Sequence, residues 1–474
     1  MRRYYLFLFI LSVVILSCRD DEITEEPDMV IEEPEVLVPE AGEHLSGGQA
    51  TVSDSSPNAF GFQAPGVDGM DELLFFVGNS FFNQNWVSAP ASTKARDGLG
   101  PFFNARSCAA CHFKDGRGQP PSSLGRTGEG MVIRLSIPGE GPFGGPLPEH
   151  TYGGQLQDQA LLGVMREGGI EILYIEEPGT YPDGTTYILR KPLYKLIDLA
   201  YGEMDPSVQL SPRVGPQVIG LGLLEAIAEE DILALADESD GDQDGISGRP
   251  NYVWDIESQS TVMGRFGWKA NQPSLLQQVA SAFNGDIGIK TYLLPEENCQ
   301  DNEACQDLPD GGVTEIDDDD LLKVVLYSST LAVPARRNWE DQEVLRGKKL
   351  FTEIGCTSCH VPKFVTGAHH RFDALSNQTI RPYTDLLLHD MGEGLADNRP
   401  DFEATGREWR TPPLWGIGLF NTVNKHTFYL HDGRARNLEE AILWHGGEAL
   451  QSQARFKALS ITERNELLTF LESL

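Results

Sequence analysis

The stretch Cys108-Ala109-Ala110-Cys111-His112 is matched in form by Cys356-Thr357-Ser358-Cys359-His360. In each, the two cysteines stand about one helical turn apart. Both sulfurs can then reach the two vinyl groups of one porphyrin, while the adjacent histidine projects beneath the ring and offers a nitrogen to iron. A single run of this kind suits zinc or dithiol chemistry as well. Two copies, each preceded by an amphipathic helical pattern, point to two covalently attached c-type haems. Cys108, Cys111 and His112 would hold one, and Cys356, Cys359 and His360 the other, with both histidines as iron ligands.

The flanks of the two motifs repeat. Residues 70–78, leading to Phe81-Phe82, form the helical pattern before the first motif, and residues 343–351 play that part before the second. Residues 320–327 and 463–471 read as closing helices, the latter opened by a capping box of Ser460 and Glu463. Helix, CxxCH, loops and helix, occurring twice, predict a mainly α fold of two cytochrome c-like haem domains, residues 57–335 and 336–474. Residues 131–137 and 170–175 alternate as strands do, so the first domain should carry a small β insertion.

At 474 residues, with 40 % apolar and 23 % charged side chains, the chain has the composition of a globular protein able to bury a core. Its start has the features of an export signal: basic Arg2-Arg3, an apolar run over 4–16, then Ile15-Leu16-Ser17-Cys18, which resembles a bacterial lipobox. Residues 1–17 would be the signal peptide and Cys18 the lipidated residue. Acyl chains would then anchor the protein to the bacterial envelope, on its periplasmic side or at the cell surface. Residues 18–56, acidic and punctuated by proline, read as a disordered tether. A formal charge of −34 disfavours nucleic acid and would attract a small basic redox partner such as a cytochrome, though acidity also serves plain solubility. Cys299 and Cys305, left over from the motifs, suit a disulfide in an oxidising compartment. Asp240, Asp242 and Asp244 alternate as in the opening of a calcium loop, without the glutamate that closes one, so a calcium ion and a bare acidic turn both remain open.

From about Phe60 to its end the chain resembles the di-haem oxidoreductase family of peroxidase-like proteins. The resemblance is carried by Gly98-Leu99-Gly100-Pro101-Phe102-Phe103-Asn104, Gly264-Arg265-Phe266-Gly267-Trp268-Lys269-Ala270 and Arg410-Thr411-Pro412-Pro413-Leu414-Trp415-Gly416, among other stretches. It is more distantly similar to bacterial di-haem cytochrome c peroxidases, whose HDG turn precedes a helix bearing a methionine ligand. Here His431-Asp432-Gly433 leads to Leu438-Glu439-Glu440-Ala441, and His445 falls where that methionine would stand. The resemblance therefore implies His360/His445 ligation of the second haem, with a merely packed His445 as the alternative. It also implies Gln159 and Glu167 as a distal pair over the first haem, with solvated surface residues as the alternative and His150 as another candidate ligand. Trp268 reads first as a core residue and second as a ring between the haems. The activity implied is peroxidase-like reduction of hydrogen peroxide or a similar small oxidant, with electrons passed between the haems. The competing reading is an electron-transfer lipoprotein with both irons six-coordinate, linked to metal or iron acquisition.

Overall fold

Two glycines let two pairs of helices cross closely. In the helix Met70–Asn83, the residues Phe75, Gly78, Phe81 and Phe82 fall on one buried face, and Asp71 and Glu72 favour the positive end of its first turn. This helix crosses Asp318–Thr330, and a Cβ on Gly78 would lie 2.1 Å from the Lys323 carbonyl oxygen, so only glycine permits the approach. The helix Gln342–Glu353 crosses Ile461–Ser473 in the same way, where a Cβ on Gly347 would lie 1.9 Å from the Glu466 oxygen. Ser460 and Glu463 form the expected capping box. The computed structural model describes Met1 and residues 36–121, 130–299, 308 and 310–474. The expected signal peptide, Cys18 and Cys305 lie outside the described residues.

The expectation of a mainly α, cytochrome c-like two-domain fold is overturned. The chain is 29 % helix and 20 % strand, and the strands fall into seven small sheets among the described residues. The reason is local. Among the described residues the helices of twelve or more residues are the four that frame the motifs, while the long connections are rich in glycine and proline and pair as short ladders. One sheet has Met131–Glu140 at its centre, paired antiparallel with Gln209–Val214, Gln155–Leu156 and Pro146–Leu147. The longest ladder is the hairpin of Gly169–Thr180 and Thr186–Ile197, in register from Gly169↔Ile197 to Thr180↔Thr186.

That hairpin belongs to the first half of the chain but grips the second. The Tyr194 hydroxyl donates to Asp432 at 2.6 Å and the Tyr181 hydroxyl to Glu439 at 2.7 Å. Arg464 pairs with Asp183 at 2.6 Å. At the other end of the chain, residues 37–474 form one unit, so Leu37 to Ser56 of the stretch expected as a tether belong to the folded body. Glu43 is fully buried there, paired with Arg336 and Lys348 at 2.5 Å each.

Candidate haem-binding cavity

Each CxxCH run folds into a single tight turn. Cys108–Cys111 is one turn of α-helix, and the His112 amide donates to the Cys108 carbonyl at 2.9 Å. Cys356–Ser358 is a 3-10 turn, and the His360 amide donates to the Cys356 carbonyl at 2.9 Å. All four cysteines are free thiols, and all four line one cavity together with His112, His360 and His445. Burial pushes the Cys108 and Cys356 thiols up to about 12, so neither is a ready thiolate for zinc or disulfide exchange.

The three histidines share one arrangement. His112 Nδ1 lies 2.7 Å from the Pro216 carbonyl, His360 Nδ1 2.9 Å from Tyr383, and His445 Nδ1 2.7 Å from Ala441. A carbonyl only accepts, so each Nδ1 must carry the proton and each Nε2 keeps its lone pair, the state of an iron ligand. Burial lowers all three pKa values; His360 falls to about 4, with His445 contributing to the shift, so the rings are neutral at ordinary pH. An aromatic ring abuts each motif histidine: Phe82 at 6.2 Å from His112 and Phe351 at 6.1 Å from His360. Gly215 completes the first cradle, since a Cβ there would lie 2.8 Å from His112 Cε1. Paired thiols, lone-pair imidazoles and apolar walls fit two porphyrins. His445 stands just past the helix Leu438–Leu443, whose N-cap Asn437 accepts from the Glu440 amide.

The other expected residues lie elsewhere. Glu167 is buried away from the cavity, where its carboxylate accepts from the Gln157 amide at 2.7 Å and joins two loop segments. Gln159 is paired with Phe103 in a two-residue strand and donates to the Asn104 carbonyl, and His150 is exposed. None of the three lines the cavity, because the turn carrying them is tied into the neighbouring loops. Trp268 is both core and cavity wall: its indole donates to the Val214 carbonyl at 2.8 Å, and the Arg117 guanidinium lies 5.0 Å from its ring. In the acidic turn, Asp237 joins Asp240 and Asp242 with oxygens within 4.8 Å, while Asp244 turns back to accept from the Ile246 amide. Cys299 is buried and disulfide-bonded.

Several wall residues escaped the sequence reading. Asp286 is the one carboxylate on the described cavity wall, and its charge acts on Cys108, Cys111 and His112. It sits in the π-turn Phe283–Ile287, which has no sequence signature. His431 of the HDG turn reaches the cavity and stacks on Trp409 at 3.7 Å between ring centres. His389 is held between Asp385 at 2.8 Å and Glu448 at 2.7 Å. Burial alone would lower its pKa, but its hydrogen bonds to Asp385, Cys359 and Glu448 outweigh that and hold it protonated.

A fold of short ladders around one cavity, with two CxxCH turns opening into it, defines a protein shaped around a pair of haems. A family model described as "Di-haem oxidoreductase, putative peroxidase" matches residues 41–474, and the chain belongs to that family. No curated protein and no solved structure matches it.

Proposed function

We propose that the chain is an exported c-type cytochrome with peroxidase-like activity, its haems attached through Cys108 and Cys111 and through Cys356 and Cys359. The observation that carries this reading is the asymmetry of the shared cavity. His360 is accompanied there by a second lone-pair imidazole, His445, whereas the carboxylate of Asp286 stands by the first motif. When bound, the haems would supply iron for one-electron transfer and for reduction of a small oxidant. His360 and His445 would together saturate one iron, which leaves the oxidant to the side of His112. Asp286 is suited to handle protons there. Its Oδ1 accepts from Gln155 at 2.9 Å, which orients the group and leaves Oδ2 to take up and return a proton. Reduction of one peroxide takes two electrons and two protons and gives two waters. A basic redox partner would deliver the electrons, drawn by the acidic field. Lipidation of Cys18 would hold the protein at the envelope, and no helix among the described residues is long and apolar enough to cross a membrane.

Two variants test the division of labour. Asp286→Asn should keep two acid–acetone-resistant haems yet slow peroxide turnover by roughly a hundredfold, the usual size of a lost general acid–base group. His445→Ala should convert part of the low-spin ferric signal in electron paramagnetic resonance to high-spin. A fully active Asp286→Asn would remove its catalytic role, and an unaltered spin state in His445→Ala would remove the second ligand.

A further inference from the structure

The cavity wall carries more buried positive charge than its own carboxylate can balance. Arg117, Arg134, Arg213 and Arg410 all line it, against Asp286 alone among the described acidic residues. The Arg134 guanidinium, which lines the cavity, makes no hydrogen bond or ion pair with any described residue, and Asp286 and Asp401 act on it only from longer range. Arg117, 5 % exposed, donates only to the Leu430 carbonyl through its guanidinium, and its Nε has no partner. Arg410 bonds the Gly267 and Thr411 carbonyls at 2.9 and 3.2 Å, and among the described residues no carboxylate forms an ion pair with it, although the charge of Asp385 acts on it from further off. Arg213 meets Asp401 at 2.9 Å, but Asp401 is also claimed by Arg399 at 3.0 Å, and Arg213 Nη2 is left without a partner.

A buried cation is costly unless an anion meets it. Burial already weakens the hold of Arg117 and Arg410 on their protons, bringing each down to about 10. The four are also arranged. Arg134 and Arg213 stand on paired strands, with Arg213 opposite Val132 and Arg134 two residues on, so both side chains leave the same face of the sheet. Arg117 lies five residues past His112 of the first motif, and Arg410 lies in the strand Glu408–Arg410 of the second half. A guanidinium fork fits a carboxylate in two parallel hydrogen bonds.

We infer that these four arginines are the binding sites for the propionate carboxylates of the two haems, which therefore point into the shared cavity and not out to solvent. This rests on the reading that two haems fill the cavity. Two haems bring four carboxylates; Arg117, Arg134 and Arg410 have no carboxylate of their own within ion-pair distance among the described residues, and Arg213 offers the Nη2 that Asp401 leaves without a partner. The same arginines then hold each haem against a fixed positive charge, which favours its reduced form.

The test uses the mature full-length protein and the variants Arg134→Leu, Arg410→Leu and Arg134→Lys. Haem count after acid–acetone extraction comes first: wild-type protein without covalent haem would fail the cofactor reading itself, separately from this inference. With two haems retained, Arg134→Leu and Arg410→Leu should each lower the midpoint potential of a haem. The expected shift is about tenfold in the ratio of reduced to oxidised haem, about 59 mV for one electron. The propionate bending band in the resonance Raman spectrum should move as well, and Arg134→Lys should restore most of both. Unchanged potentials and an unchanged propionate band in both leucine variants would overturn the inference. If a leucine variant fails to mature, Arg134→Gln, which keeps a polar side chain but removes the charge, takes its place: potential and band should shift as for leucine, and both unchanged would overturn the inference.

Discussion

A residue's role here is decided by what its polar atoms meet. Glu167 illustrates this. Burial raises its carboxyl to about 8, against the ordinary 4.5, although the Gln157 amide works the other way. The folded state thus prefers the neutral acid. That preference stabilises the protein fully below about pH 4.5 and is lost as pH rises through about 8. Glu167→Gln, which is neutral at every pH, should therefore gain stability over wild type between those values, on the order of a few kcal/mol at the upper end. Its turnover should match wild type, because Glu167 does not reach the cavity. Urea melts at pH 5 and pH 8.5 check this, and equal differences at the two pH values would refute it. The three cavity histidines make the same point. Their identity comes from the chain, but the proton on Nδ1 is placed by carbonyls as distant in sequence as Pro216 is from His112.

At the scale of elements, the crossing helices matter most. Met70–Asn83 against Asp318–Thr330, and Gln342–Glu353 against Ile461–Ser473, position the Phe82 and Phe351 rings beside their motif histidines. Gly78→Ala would place its methyl against backbone, which cannot rotate away. The expected cost is about 3 kcal/mol or somewhat more, read as a lowered denaturation midpoint with the same slope. If the variant melts like wild type, the crossing is looser than the geometry requires. All four of these helices were legible from apolar spacing and capping residues. The ladders were legible only where alternation was long, as in residues 131–137 and 170–175. Two-residue strands such as Phe102–Phe103 with Gln159–Ala160 carry too little pattern to read, and their accumulation is what overturned the mainly α expectation.

Within the unit of residues 37–474, distant segments of the chain are tied together. Glu43 joins Arg336 and Lys348, and its carboxylate is fully buried. Removing one partner of such a pair leaves charge stranded, so Glu43→Ala should lose about 3–5 kcal/mol in chemical denaturation. A loss below 1 kcal/mol would mean that the segment from Leu37 is only laid on the surface. The hairpin acts similarly from the other side, since Tyr181, Asp183 and Tyr194 bind the half of the chain that carries the second motif.

What the chain made legible alone was the pair of CxxCH turns: their spacing is local, and a local signal survives without tertiary context. The family resemblance and the flanking helices were readable for the same reason. Arg134 left a faint mark, a charge inside the otherwise apolar run Met131-Val132-Ile133-Arg134-Leu135. Only the tertiary structure decided which polar groups face the cavity. Asp286, Arg117, Arg213 and Arg410 come from separate turns and strands, and no spacing connects them. Their convergence, and the removal of Gln159 and Glu167 from it, follows from loop packing, in which burial and hydrogen-bond satisfaction are settled by residues far apart in sequence.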